Sequence, residues 1–166
     1  AVEQGFDPIV AAGGDGAISE VVNGLLGDVD VAPVRLGILP LGSANDYAVQ
    51  LGIPLDLEGA CQTLSTAENV RTLDAGRCND SVFQNDITID FGALVNSEAA
   101  TIKRLRGSAI YLGGVAKALK GYKLPTATIE WDGGKLENKP ILLAYVGNGW
   151  RTGGVFYLAP DALLDD

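Results

Sequence analysis

The sequence contains no histidine and no methionine, and it has only two cysteines. Zinc sites in proteins are built mainly from several cysteine and histidine side chains held close together. Cys61 and Cys78 are too few to supply such a set, so the composition argues strongly against zinc. We interpret both cysteines as free thiols of a protein in a reducing compartment.

Long apolar runs are also missing. Hydrophobic residues make up 47% of the chain, but no run of them approaches the roughly 20 residues that a transmembrane helix needs. No secretory signal peptide is visible. We therefore expect a soluble, cytoplasmic protein of one domain or slightly more, with any membrane association limited to its periphery.

Basic residues are scarce outside one segment. The net charge of −9 argues against nucleic acid as a partner. Residues 1–98 carry three basic and fifteen acidic side chains, a net −12, whereas residues 99–129 carry six basic side chains and no acidic one. These six are Lys103, Arg104, Arg106, Lys117, Lys120 and Lys123. Such a segment is either a solvated helix surface or a surface that contacts phosphates or an anionic membrane.

Three of the four residues from 13 to 16 are glycines, in a turn between a predicted buried strand at 8–12 and a predicted amphipathic helix at 18–26. Glycine permits positive φ and close approach of the backbone to a ligand, and the N–H groups that open a helix attract anions. Asp15 lies inside this turn, where its carboxylate would repel a bare phosphate unless a divalent cation or a hydroxyl group stood between them. The turn therefore indicates phosphoryl chemistry with a metal ion. We also expect Gly27 to end the helix as a left-handed cap.

A second turn of the same type follows the next predicted strand, at residues 35–40. The turn Gly42-Ser43-Ala44-Asn45-Asp46 leads into a helix predicted from Tyr47 to Leu51. In an open parallel sheet such turns lie together at the carboxyl ends of the strands, where ligands bind. The alternative is that Asn45 or Asp46 only caps the helix.

The pattern changes near residue 75, where we place a domain boundary. Before it, strands and helices alternate as in an α/β domain, with a third helix beginning at Pro54 and a strand at 69–74. After it, the sequence predicts strands at 81–83 and 87–91, helices at 97–106 and 108–122, a hairpin from 126–131 through Asp132-Gly133 toward 140–146, and a last strand at 156–158.

The order of these motifs closely resembles the catalytic domain of the diacylglycerol kinase and sphingosine kinase family of lipid kinases. The resemblance begins with Gly13-Gly14-Asp15-Gly16 and residues 20–25, and it continues through residues 39–48. One such glycine turn alone is weak evidence, whereas ordered motifs over nearly the whole chain are specific. The later motifs are Leu51-Gly52-Ile53-Pro54, Asp74-Ala75-Gly76, Lys103 with Gly107 and Tyr111, Asn148-Gly149, Gly153-Gly154, Ala159-Pro160-Asp161-Ala162 and Asp165-Asp166.

The resemblance implies two domains. Residues 1–74 would form an α/β nucleotide-binding domain with a parallel sheet like that of phosphofructokinases, and residues 75–166 would belong to a mostly β-sandwich domain on the lipid side. The family's first strand would lie before Ala1, and its acidic Asp-Gly-Glu motif after Asp166. The resemblance also implies ATP, Mg²⁺ and a lipid substrate at a membrane surface, and a homodimer is compatible with it.

The resemblance also assigns roles to individual residues. Asp15 would act as the base or as a metal-linked carboxylate, and Glu20 would reach the ribose or its surroundings. Lys103 would neutralise charge on the transferred group. Asp165 and Asp166 would hold a second, structural cation, unless they are ordinary surface acids. The nucleotide phosphates and the metal region would be lined by Gly13, Gly14, Gly16, Gly42, Ser43, Asn45 and Asp46.

Two other functions remain open. A kinase of NAD shares the Gly-Gly-Asp-Gly turn and the nucleotide fold, although residues 20–24 and 41–46 favour a lipid kinase. A catalytically weak nucleotide-binding or regulatory homologue is favoured by departures from the family pattern. These are Ala17 in place of a frequent threonine, and Ala44, Asp90 and Thr152 in place of common glycines.

Overall fold

The computed structural model describes residues 1–27, 34–66, 70–102, 108–120 and 122–166. It is a mixed α/β structure that divides into two compact units. The first unit comprises Ala1–Asp86 and Gly147–Asp166, and the second comprises Ile87–Val146.

The first unit contains the predicted parallel pair of strands. Strand β1 (Ile9–Gly13) pairs with β2 (Leu36–Pro40), so that Gly13 lies opposite Pro40. The pairing extends one residue further, because the amide of Leu41 donates to the carbonyl of Gly13 at 2.9 Å. Both strands therefore end side by side at the two glycine-containing turns.

The α-helices in the described part of this unit are α1 (Asp15–Leu26), α2 (Asp46–Gln50) and α3 (Leu57–Thr66). Ile18 and Val22 of α1 face the core, and Ile18 is completely buried, whereas Leu26 at the end of the helix is exposed. Full burial of such a side chain stabilises a fold by roughly 1.5–3 kcal/mol. The core of the unit consists of Ala11, Ile18, Val22, Ile38, Tyr47, Ala48, Val82 and Leu164.

Helix α1 does not end as predicted. Gly27 has a right-handed conformation, with φ −63° and ψ −43°, so the prediction of a left-handed cap is wrong. One of the free carbonyls at the helix end is instead satisfied by a side chain, since Nη2 of Arg77 donates to the carbonyl of Leu26 at 3.1 Å. A long-range partner therefore replaces the local glycine cap.

A short antiparallel pair, β3 (Gly76–Cys78) and β4 (Ser81–Phe83), lies against α1. Asn23 joins the two, because its Oδ1 accepts from the amide of Val82 at 2.8 Å and its Nδ2 donates to the carbonyl of Val82 at 2.7 Å. The side chain of Asn23 thus pairs with β4 as a neighbouring strand would.

Two predicted strands of this unit are wrong. Residues 70–74 form no strand, and the amide of Asp74 donates to the carbonyl of Leu164 instead; residue 69 lies outside the described ranges. Residues 156–158 also form no strand, and only Phe156 makes a bridge, to Thr152. Both segments contain apolar residues, but neither pairs with a strand among the described residues.

The described residues of the second unit form helices and short strands. Helices α4 (Phe91–Ala100) and α5 (Ser108–Leu119) pack together, with Gly114 so close to Val95 and Ala99 that a Cβ would not fit. The helix predicted at 97–106 begins earlier in the structure, at Phe91, and residues 103–106 of that prediction lie outside the described ranges.

The strands of this region form two pairs. Strand β5 (Asp86–Asp90) pairs with β8 (Leu143–Gly147). Strands β6 (Thr126–Trp131) and β7 (Gly134–Pro140) form the predicted hairpin, although its second strand begins directly after the turn. A β-sandwich and a boundary at residue 75 stay predictions. Within the described ranges, no helix is both long and apolar enough to cross a membrane.

Candidate active site

The two glycine turns contact each other through their backbones. A Cβ on Gly14 would lie 3.0 Å from the Cα of Gly42, and a Cβ on Gly42 would overlap the Cα of Gly14. The glycines at 13, 14, 16 and 42 do not have positive φ. The positive φ that glycine permits is therefore not used at these positions, and close approach is what requires Gly14 and Gly42.

Asp15 connects the first turn to the second. Its Oδ1 accepts from the amide of Tyr47 at 2.9 Å, and its Oδ2 accepts from the amide of Asp46 at 3.1 Å. These amides open helix α2 and would otherwise lack partners within the helix. Asp15 itself begins helix α1, so its carboxylate lies at the N-terminal ends of two helices, where helix dipoles favour negative charge.

Asn45 holds the second turn closed. It has φ 49° and is only 6% exposed. Its Oδ1 accepts from the amide of Gly42 at 2.8 Å, and its Nδ2 donates to the carbonyls of Gly42 at 3.0 Å and Pro40 at 3.4 Å. Asn45 occupies the N-cap position of α2 without making a side-chain cap bond. The cap is supplied by Asp15.

Asp46 is 3% exposed, and its carboxylate points toward a distant part of the chain. Its oxygens lie 2.9 and 3.1 Å from the amide of Gly154, which donates to them, and Oδ1 lies 3.0 Å from Nε of Arg151. Burial raises the pKa of Asp46, and the nearby carboxylate of Asp15 raises it further, whereas Gly154 and Arg151 lower it. The carboxylate is therefore one of a group of interacting charges.

Asp86 is a third member of this group, and its neighbours in the sequence did not indicate a role for it. Burial raises the pKa of Asp86 to about 6, and the negative charges of Asp46 and Asp15 add to the shift. Hydrogen bonds from the side chains of Thr152 and Asn85 oppose it. The Nδ2 of Asn85 lies 2.9 Å from Oδ1 of Asp86.

Gln50 and Asn85 connect helix α2 with the segment around residue 150. The Nε2 of Gln50 donates to Oδ1 of Asn85 at 2.7 Å, and its Oε1 accepts from the amide of Trp150 at 2.7 Å. The carbonyl of Asn85 accepts from the amides of Asn148 and Gly149 at 2.8 and 2.7 Å. Gln50 and Asn85 were not predicted from the sequence, whereas Asn148-Gly149, whose amides bind Asn85, was among the motifs noted there.

The other predicted site residues are more dispersed. Gly16 and Ser43 are exposed in the two turns, and Glu20 is exposed on α1. Asp165 forms an exposed ion pair with Arg71 at 2.6 Å, and Asp166 is exposed beside it in the sequence. Lys103 lies outside the described residues. The structure thus brings together Gly14, Asp15, Gly42, Asn45 and Asp46, and it adds Gln50, Asn85, Asp86 and Arg151.

The raised pKa of Asp86 predicts a pH dependence of stability. Between the ordinary pKa of 3.8 and about 6 the folded state keeps a proton that the unfolded state has released. The free energy of unfolding therefore falls as pH rises through this window, and the loss is complete above it. With allowance for partial exposure, the loss is about 1–2 kcal/mol.

Asp86→Asn is accordingly expected to raise stability at pH 7.5 by about 1 kcal/mol and to leave it unchanged near pH 4. Urea unfolding at both pH values measures the difference, with Asp80→Asn in an exposed turn as the control. An Asp86→Asn protein no more stable than the unmodified one at pH 7.5 would contradict the prediction.

Comparison with known proteins gives consistent matches. Residues 1–78 match the family model described as the diacylglycerol kinase catalytic domain. The whole chain is 40% identical to a protein of Chromohalobacter salexigens named probable lipid kinase YegS-like, and 34% identical to one of the same name in Pseudomonas putida. The chain spans about half the length of these relatives, 53% and 55% respectively.

A solved structure also matches. The crystal structure of a diacylglycerol kinase from Bacillus anthracis superposes on 96% of this chain with a TM-score of 0.71 and 29% sequence identity. The match covers 51% of that chain. The α/β arrangement described above is therefore shared with a protein of that name.

Proposed function

We propose that the chain is part of a lipid kinase, because residues 1–78 match the family model described as the diacylglycerol kinase catalytic domain. The reaction would transfer the γ-phosphoryl group of ATP to a hydroxyl of diacylglycerol or a related lipid alcohol. The observation that carries the proposal is the pair of hydrogen bonds that the amides of Asp46 and Tyr47 donate to the carboxylate of Asp15, because these bonds join the two turns in one polar site.

Phosphoryl transfer leaves little covalent work for a protein. The site must align donor and acceptor and neutralise charge on the transferred group. Backbone N–H groups of the turn and of helix α1 are suited to bind phosphates. A Cβ on Gly16 would meet nothing within 4 Å, so this glycine leaves open space beside the turn. That space supports a role for Gly16 in the approach of a phosphate group.

Mg²⁺ is compatible with the residues present. Mg²⁺ in kinases commonly binds one or two protein carboxylates together with phosphate oxygens. The described part of the chain holds no group of three His, Cys, Asp or Glu side chains suited to a metal ion, but such a group is not required. Asp15 and Asp46 would hold the cation, which when bound would supply positive charge to the phosphates.

Asp15 retains the capacity to act on a further partner. An ionised carboxylate has about four acceptor positions, and the amides of Asp46 and Tyr47 use two of them. The remaining positions would accept the proton of a lipid hydroxyl or bind the cation. The assignments of Glu20, Ser43, Lys103, Asp165 and Asp166 stay predictions.

We further propose that residues 1–74 form the nucleotide domain and residues 75–166 the lipid side. The relatives named as probable lipid kinases favour this activity over phosphorylation of NAD. A weakly active regulatory homologue is the other alternative, for which Ala17, Ala44, Asp90 and Thr152 are the motivating residues.

An assay of the full-length protein with labelled ATP separates these functions. Diacylglycerol, a long-chain sphingoid base and NAD are offered in parallel, and we expect label in one of the two lipids. Label in NAD alone would overturn the lipid kinase proposal. Retained ATP binding without transfer to any acceptor would favour the regulatory homologue.

The basic segment predicts electrostatic attachment to membranes. Exposed Lys120 and Lys123 line a surface cavity of about 390 Å³. The other residues of the cavity are Leu94, Glu98, Lys117, Ala118 and Tyr122. Each lysine near an anionic bilayer contributes about 1 kcal/mol of attraction. Lys120→Gln with Lys123→Gln is therefore expected to weaken binding to anionic vesicles by at least about tenfold.

Co-sedimentation with vesicles of increasing anionic lipid content measures this binding, which should fall as salt is added. The matched control is Lys135→Gln with Lys139→Gln, which removes the same charge from strand β7. Equal loss in both double variants would indicate a general charge effect, and binding that is independent of salt would indicate apolar docking.

A further inference from the structure

Arg151 is a basic side chain at the group of carboxylates, and its position in the chain suggested no role. Its side chain is 18% exposed, and Nε lies 3.0 Å from Oδ1 of Asp46. Its Nη2 donates to the carbonyl of Gly154 at 2.7 Å. The guanidinium is thus held next to Asp46, one of the two residues whose amides bind Asp15.

The chain does not satisfy this guanidinium fully. Nε of Arg151 is buried and makes no hydrogen bond to the part of the chain that the structure describes, although it lies within ion-pair distance of Oδ1 of Asp46. An unsatisfied buried donor costs about 1–3 kcal/mol, and more when it is charged. Such donors are rare in native proteins and often mark a place where an ion or a functional group binds.

The backbone of Arg151 is fixed by two side chains. Its carbonyl accepts from Nδ2 of Asn85 at 3.0 Å and from Nε2 of Gln50 at 3.3 Å, and its amide donates to Oε1 of Gln50 at 3.4 Å. The guanidinium therefore extends from a backbone that is already ordered. A preorganised cation loses less conformational entropy when it binds a ligand.

We propose that Arg151 binds a phosphoryl oxygen of the nucleotide and exchanges its ion pair with Asp46 for that contact. The planar fork of arginine donors matches the oxygens of a phosphoryl group, and hydrogen bonds between charged groups are the stronger ones. The inference rests on the proposed function, since it takes ATP as the ligand. It assigns charge neutralisation to a residue other than Lys103.

The test compares the binding of adenosine, ADP and ATP by the full-length protein, measured by calorimetry. Arg151→Gln is expected to weaken the tighter-bound of ADP and ATP by at least about tenfold and to leave adenosine within twofold. Arg151→Lys keeps the charge without the planar fork of donors. Its affinity for the tighter-bound of ADP and ATP should lie between those of Arg151→Gln and the unmodified protein. Arg35→Gln, in the exposed ion pair with Asp7, is the matched control and should bind all three ligands normally.

The outcomes separate the inference from the proposed function. An unmodified protein that binds none of the three ligands would overturn both. Arg151 variants that bind ADP and ATP normally, or that weaken all three ligands equally, would overturn the inference and leave the proposed function standing. Thermal unfolding of each variant shows whether the variant is folded. If Arg151→Gln does not fold, the affinity of Arg151→Lys for ADP and ATP relative to adenosine tests the inference.

Discussion

Replacing Asp15 by asparagine is expected to reduce phosphoryl transfer to near background while changing the affinity for ATP by no more than a few-fold. A general base contributes roughly 10²- to 10⁴-fold to a rate, and a metal-linked carboxylate would be lost by the same change. The γ-phosphoryl group should still be bound, because the glycine turns and their amides remain. The expected signature is therefore a large fall in kcat with little change in nucleotide binding.

The structure adds a second consequence of Asp15→Asn. The carboxylate accepts from two amides, whereas an asparagine has one oxygen and one NH2 group, so one amide of helix α2 loses its acceptor. A loss of about 1–3 kcal/mol in the free energy of unfolding should accompany the loss of turnover. Urea unfolding and single-turnover kinetics of the same protein preparation measure the two effects.

Asp56→Asn is the matched control. Asp56 is also an aspartate at the start of a helix, and its Oδ1 accepts from the amide of Gly59 at 2.8 Å. This cap of helix α3 takes no part in the two turns, so turnover should stay normal. Substantial turnover by a folded Asp15→Asn protein would refute the role assigned to Asp15.

The parallel strands and their turns were predictable because their signals are local. Each strand is a short apolar run, and each turn follows directly in the sequence, so the meeting of the turns follows from parallel pairing. The helical spacing of Phe91, Val95 and Ala99 was also present, and these three residues are buried. Because the predicted strand at 87–91 included Phe91, the start of helix α4 was not predicted.

The rest of the site depends on residues far apart in the chain. Gln50 and Trp150 are 100 residues apart, and Asp46 and Gly154 are 108 apart. Nothing in the neighbouring sequence of Asp86 or Arg151 indicates that either approaches Asp46, since the approach depends on tertiary contacts. The predictions for the end of α1 and for a strand at 70–74 were wrong for the same reason. Distant residues bind the backbone groups of both segments.

Replacing Gly42 by alanine is expected to destabilise the fold by about 2–3 kcal/mol, the upper part of the range for forcing an extra methyl group into packed surroundings. The new Cβ would overlap the Cα of Gly14 and lie 2.7 Å from Oδ1 of Asn45. Neither neighbour is the free end of a flexible chain, so the two turns would have to separate. Urea unfolding at neutral pH measures the loss.

Gly16→Ala is the control from the same site. It should affect ATP affinity and not reduce stability, whereas Gly42→Ala should reduce stability. Its Cβ meets nothing within 4 Å, and alanine within a helix is more stable than glycine by roughly 0.5–1 kcal/mol. If phosphates occupy that open space, the added methyl group should lower ATP affinity without lowering stability. A stable Gly42→Ala protein would show that the two turns need no close contact. Full ATP affinity in the Gly16→Ala protein would mean that the nucleotide does not approach the first turn. Because the first substitution acts on the fold and the second on the ligand, the pair separates the structural requirement for glycine from the functional one.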